Sequence, residues 1–156
     1  MCGICGQFRF DEENVSSKSL TSMMSKIARR GPDSSGKWLE GKIGFGHQRL
    51  SIIDLSSYGN QPMVDELLKL TLVFNGTIYN YKSLRIELID KGYSFFSHSD
   101  TEVIIKAYHY WGEDCAKYLD SSILHKSTSK WCIRSVSRGD KYFWSLCRRK
   151  SFGDIR

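Results

Sequence analysis

Hydrophobic patterning holds through the first 120 residues and then stops, so about three quarters of the chain must supply the folded core. Ile4 to Phe10 alternates weakly and ends in acidic residues, as a strand running into a loop does. Apolar residues at Leu20, Met23, Met24 and Ile27 predict a helix over 19–30, stopped by the turn residues Arg30-Gly31-Pro32-Asp33. Trp38 to Phe45 and Gln48 to Ile53 read as two strands, and Asp54 to Gln61 as a loop. Leu70 to Phe74 reads as a short apolar strand that ends at the turn pair Asn75-Gly76. Tyr81 to Lys91 reads as a helix with Leu84 and Leu88 inward, and Asp100 as the cap of a helix over Thr101 to Trp111. The set predicts one α+β domain over residues 1–120.

Residues 121–156 follow other rules. They show no sustained period of two or 3.6, and glutamate is absent. Nine Lys/Arg stand against Asp140 and Asp154, a balance of +7, although the whole chain carries only +6. Trp131, Tyr142, Phe143 and Trp144 interleave with these charges, a composition that suits a nucleic-acid phosphate backbone. An abrupt switch from coherent to patternless residues is better explained by a reading-frame shift, which is the reading adopted for this tail; a genuine diverged extension and a nucleic-acid-binding tail are the weaker alternatives. The coding nucleotides decide between them.

The five cysteines are an odd number at irregular spacing, which argues against a disulfide framework and against a structural metal site. No apolar run reaches the roughly 18 residues of a membrane span, and no signal-type apolar segment follows a basic start. The expectation is a cytoplasmic protein without membrane partners.

Chemistry concentrates at the amino terminus. Small residues follow Met1, which favours its removal; Cys2 would then carry a thiol and a free amine on one residue. A main-chain amine has a pKa near ~7.7–8.0, so close to neutrality it can take the proton of a thiol nucleophile. Three further landmarks flank predicted strand ends: Arg49, Asn75-Gly76 and Asp100. An arginine holds an α-carboxylate bidentately and an aspartate accepts from an α-ammonium. An Asn amide and a Gly N–H can donate to the oxygen that gains charge when a thiolate attacks an amide. Singly, each has a plainer reading: a surface ion pair for Arg49, a hairpin turn for Asn75-Gly76, a helix cap for Asp100. The case lies in the set, and spacing alone leaves open whether the set converges.

The segments MCGICGQF (1–8), RRGPDSSG (29–36), GFGHQRLSIIDLS (44–56), NQPM (60–63), LVFNGTIYNYKSLRIEL (72–88) and SHSDTEVIIKAY (97–108) resemble the glutamine-hydrolysing domain of asparagine synthetases. That is a class II glutamine amidotransferase domain with an N-terminal nucleophile. The HQRLSIID and NQPM runs set it apart from relatives that make amino sugars or purine precursors. The resemblance implies a four-layer αββα sandwich, here incomplete at its C-terminal strands. It implies that Cys2 is the nucleophile and its amine the base, with Asn75 and Gly76 as the oxyanion hole. It assigns Arg49 to the substrate carboxylate, Asp100 to the ammonium, and Leu50, Ile52, Ile53 and Thr77 to the pocket wall, with the Gly31-Pro32-Asp33 loop in support. L-Glutamine is the implied substrate, and the half-reaction needs no metal or cofactor. Complete family members also bind ATP and Mg and use the ammonia to make asparagine. No Ser-Gly-Gly-x-Asp-Ser pyrophosphate loop occurs here; a separately encoded synthetase domain is one candidate partner, a point the residues leave open.

The chain departs from the family at three places. Arg29 stands where a histidine is usual, and Thr77 where the Asn-Gly-Glu-Ile-Tyr-Asn motif has glutamate. After Tyr118-Leu119-Asp120 two apolar family strands are missing, which predicts an unpaired sheet edge, a partly unfilled core, low solubility and weak or no activity. The expected function is glutaminase action as part of an asparagine synthetase-like amidotransferase. The alternative is a truncated, non-catalytic remnant or glutamine-binding module.

Overall fold

The computed structural model describes residues 2–120 and, beyond them, four short strands. The first layer is a three-stranded antiparallel sheet in the order β1 (Gly3–Phe8), β3 (Ile43–Arg49), β2 (Ser34–Glu40). Every residue of β3 is buried because strands flank it on both edges and packed elements cover both faces. Its residues alternate as a strand requires. Phe45 packs with Val73 on one face, while Gln48 turns to α1 (Ser17–Lys26) on the other and donates to the Met24 carbonyl at 3.3 Å.

The helix predicted over 19–30 begins at Ser17, where the Ser16 hydroxyl caps Ser19 N. It stops at Lys26 and passes into a 3₁₀ turn over Ala28–Arg30. The predicted strand over 38–45 is two strands joined by a turn at Gly41 and Lys42. The predicted strand over 48–53 ends at Arg49; residues 50–53 leave the sheet.

The second layer pairs β4 (Met63–Asp65) with β5 (Leu70–Leu72) and packs it against α2 (Tyr81–Asp90) and α3 (Asp100–Trp111). Leu72, Ile78, Leu88, Val103 and Ile104 are among the fully enclosed side chains of this core. Buried charges fix α3 in place: Lys106 Nζ lies 2.5 Å from Asp65 Oδ2 and 3.8 Å from Glu102. Glu102 in turn accepts from Phe96 N and from the Ser97 N–H and hydroxyl, so its charge is fully met.

β5 does not present an open edge, in contrast to the sequence expectation. β8 (Asp140–Phe143) runs parallel to it, and β7 (Ser135–Arg138) pairs antiparallel with β8. A strand edge with unpaired N–H and C=O groups takes up whatever extended segment is at hand. β6 (Trp131–Cys132) and β9 (Cys147–Arg148) form a separate two-stranded pair. The reading-frame account of 121–156 and its nucleic-acid alternative concern residues that otherwise lie outside those described. Among the described residues the fold is therefore mixed α and β, with three α-helices and small sheets. No helix among the described residues is long and apolar enough to cross a membrane.

Candidate active site

Pairing of β1 with β3 carries Cys2 to the place where β3 leaves the sheet. Gly3 sits opposite Gln48, so Cys2 reaches the level of Arg49 at the end of the ladder, with its sulfur against Leu50. Leu50 N is 3.3 Å from Cys2 Sγ, and the thiol lies 3.6 Å from the Leu50 carbonyl. Arg30 Nε donates to the Cys2 carbonyl at 3.3 Å. Cys2 and Cys5 have the spacing of a redox pair, yet an odd separation on an extended strand puts them on opposite faces. Cys5 Sγ faces Met24 and Gly46, and burial pushes its thiol pKa up despite a hydrogen bond with the Gly46 backbone.

The 31–33 loop braces this corner. Asp33 N donates to the Arg49 carbonyl at 3.0 Å, and Asp33 Oδ2 accepts from Ser51 N at 2.7 Å. Residues 49–51 are thus held from outside the sheet.

Arg49 is 7% exposed, and its bonds run to a loop rather than to a surface carboxylate. Nη1 donates to the Ser56 carbonyl at 2.7 Å and to Asn60 Oδ1 at 2.8 Å, and Nη2 donates to the Asp54 carbonyl. A guanidinium has five N–H donors. Three are engaged among the described residues, and Arg49 also lines a cavity. Gly59 makes this seating feasible: a Cβ there would stand 2.4 Å from Arg49 Nη2. The loop closes on itself through Asp54, whose carboxylate accepts from Ser56 N, the Ser56 hydroxyl and His98 N. Burial pushes the Asp54 carboxyl upward, but these hydrogen bonds and the Arg49 charge outweigh it and hold the pKa below the ordinary value.

Asn75 and Gly76 do not form a hairpin. β5 continues as extended chain through Val73 and Phe74, and residues 75–77 cross the cavity before α2 begins. The crossing is tied at both ends, by Phe74 N on Gln61 Oε1 at 2.6 Å and Ile78 N on Asp100 Oδ2 at 3.0 Å. Asp100 is not the helix cap. Ser99 is, through its hydroxyl and Thr101 N at 3.1 Å, while Asp100 Oδ2 turns to Ile78 N. Asp100 is 5% exposed; burial raises its pKa, against hydrogen bonds from the Ile78 and Thr101 backbone.

One cavity of about 140 Å³ is lined by Cys2, Arg49, Leu50, Ile52, Ile53, Asn75, Gly76, Thr77 and Asp100. Every residue that sequence reasoning named for the site lies on its wall. Asp54, Gly59, Gln61, Phe74, Ser99 and Thr101 line it too, and sequence reasoning missed them. The polar run from Asp54 to Gln61 carried the available signal, since it directly follows the arginine motif.

His47 lies behind this wall, fully buried, and neither ring nitrogen has a hydrogen-bond partner among the described residues. Its pKa is lowered to about 4, chiefly by burial and further by Arg49, while the Phe74 backbone opposes the shift from outside normal hydrogen-bond geometry. The unfolded chain therefore binds this proton more readily than the folded one. The His47 contribution is complete above pH 6.5 and is lost as pH falls from 6.5 toward 4, by about 3 kcal/mol in all. Urea denaturation from pH 7.5 to 4 checks this: His47→Leu is expected to flatten that part of the wild-type profile.

The cavity thus brings together a thiol, a guanidinium, side-chain and backbone amides and a carboxylate. Residues 1–122 match the family model described as a glutamine amidotransferase domain, and the chain belongs to that family. It is 39% identical over 123 residues to glutamine-hydrolysing asparagine synthetase 3 of Bacillus subtilis, an alignment covering 77% of this chain and 20% of that protein. Asparagine synthetase 1 of the same organism is 42% identical over 126 residues, covering 76% and 19%. Asparagine synthetase 1 of Saccharomyces cerevisiae is 38% identical over 120 residues, covering 77% and 20%. The chain spans about a fifth of the length of these curated relatives and aligns with an amidotransferase portion of them.

Proposed function

We propose that this chain hydrolyses L-glutamine to glutamate and ammonia, with Cys2 as an N-terminal nucleophile once Met1 is removed. The observation that carries the reading is the cavity shared by Cys2, Arg49, Asn75, Gly76 and Asp100. Arg49 takes the substrate α-carboxylate and Asp100 the α-ammonium, so the side-chain amide points at sulfur. The Cys2 amine accepts the thiol proton, and sulfur forms a bond to the amide carbon. The oxygen that gains charge is met by the Asn75 side-chain amide and Gly76 N–H. The proton held by the amine passes to the leaving nitrogen, ammonia departs, and a thioester remains. Water, deprotonated by the same amine, attacks the thioester; glutamate leaves and the thiol is restored.

Within this reading the domain adopts the four-layer αββα arrangement of N-terminal-nucleophile hydrolases, with β1–β3 and β4–β5 as the facing sheets. Its ammonia serves asparagine formation from aspartate by an ATP- and Mg-dependent synthetase domain. The half-reaction of this chain uses no metal. The test is a mass measurement of the purified chain together with a glutamine assay. Loss of Met1 with equal release of glutamate and ammonia is expected; an intact Met1 or an inert processed chain would overturn the reading.

Thr77 stands on the cavity wall where the family motif has a glutamate. Thr77→Glu is expected to lower KM for glutamine roughly tenfold, the worth of one added charge-assisted hydrogen bond to the ammonium. Steady-state kinetics checks it, and an unchanged KM contradicts the assignment.

A further inference from the structure

We propose that Gln61 is a positioning residue that fixes the two polar walls of the cavity relative to one another; its catalytic consequence rests on the glutaminase reading. The residue is 9% exposed, and its side-chain amide bonds to two different elements. Oε1 accepts from Phe74 N at 2.6 Å, one residue before Asn75. Nε2 donates to Thr101 Oγ1 at 3.1 Å, one residue after Asp100. The pairing sets the orientation of the amide, because the reversed group would turn N–H against the Phe74 N–H. The Gln61 backbone is anchored as well: its carbonyl lies so close to β2 that a Cβ on Gly36 would stand 2.1 Å away. One residue thus joins the first sheet, the strand leading to the oxyanion donors, and the start of α3.

A second described link between these walls is Asp100 Oδ2 on Ile78 N. That link uses the carboxylate assigned to the substrate ammonium, so a bound substrate draws on it. Gln61 holds the walls through groups that the substrate does not engage. Its loss should therefore let the oxyanion donors and the ammonium site drift apart, even though the carboxylate and amide side chains themselves are intact. A misplacement on the order of 1 Å in such a site costs about 10²-fold in rate.

The test combines amide hydrogen exchange with glutaminase kinetics on four forms of the full chain. Gln61→Met removes both bonds at similar volume, Thr101→Val removes the α3 bond alone, and Gln61→Glu keeps an acceptor for both Phe74 N–H and the Thr101 hydroxyl. In Gln61→Met, exchange over residues 74–78 and 99–101 is expected to rise roughly tenfold or more, with residues 43–47 of β3 unchanged. kcat should fall about 10- to 100-fold and KM rise a few-fold in that variant. Thr101→Val should raise KM and spare kcat, and Gln61→Glu should stay within about threefold of wild type in both. Unaltered exchange on either wall in Gln61→Met overturns the proposal. So does an equal rise in β3, because the amide would then serve general stability alone. A wild-type chain inert toward glutamine, with both walls loosened in Gln61→Met, would remove the glutaminase reading and keep the joint.

Discussion

Cys2→Ala is expected to lower glutamine turnover by roughly 10³-fold or more while glutamine still binds. The separation of the two effects follows from the cavity. Arg49 and Asp100, the charged groups assigned to the amino-acid end, are held by bonds that do not pass through sulfur. Removing the thiol deletes the attacking atom and its contacts with Leu50 N and the Leu50 carbonyl, and leaves β1 paired to β3. Steady-state assays give the turnover and calorimetric titration of the variant gives the binding. Wild-type turnover in Cys2→Ala would take Cys2 out of the chemistry altogether.

Asn75→Ala is expected to reduce kcat by roughly 10²–10³-fold, the usual loss when one oxyanion donor is removed. KM should change little, because the amide donates to an oxygen that carries charge only as sulfur attacks. The surrounding geometry makes the variant clean. Phe74 N and Ile78 N anchor the crossing on either side, so truncation of residue 75 leaves the Gly76 N–H where it was. A variant with wild-type kcat would assign the oxyanion to other donors. A variant with raised KM and normal kcat would make Asn75 a ground-state contact.

Much of this molecule was legible in its residues. The apolar spacing of Leu84 and Leu88, and of Val103, Ile104 and Ala107, located α2 and α3, whose inner faces fill the main core. Strand ends were harder to read, for a physical reason. Residues 50–53 keep the apolar character of a strand because they line a cavity, so pattern alone extended β3 past Arg49. The Trp38–Phe45 run hid a turn because apolar residues flank it closely on both sides. Asp100 reads as a cap because it precedes the helical pattern, although Ser99 supplies the capping oxygen.

At the site, side chains that carry charge or a nucleophile stood out by type. Gln61, Asp54 and Gly59 did not, because their roles come from contacts between elements distant in sequence. Gln61 meets Thr101 forty residues away, and Asp54 meets His98 across forty-four. A loop composition of Asp, Ser, Gly and Asn marks a turn in either case. Only the fold reveals that this loop wraps a guanidinium.

The most direct test of the central claim is covalent labelling of the processed chain by a glutamine analogue with an electrophilic ketone in place of the side-chain amide, read by peptide mass spectrometry. The account predicts a single adduct on Cys2, prevented by L-glutamine and not by D-glutamine, and lost in an Arg49→Leu variant. An adduct on Cys5 or Cys115, or labelling of Cys2 that L-glutamine fails to prevent, would contradict it.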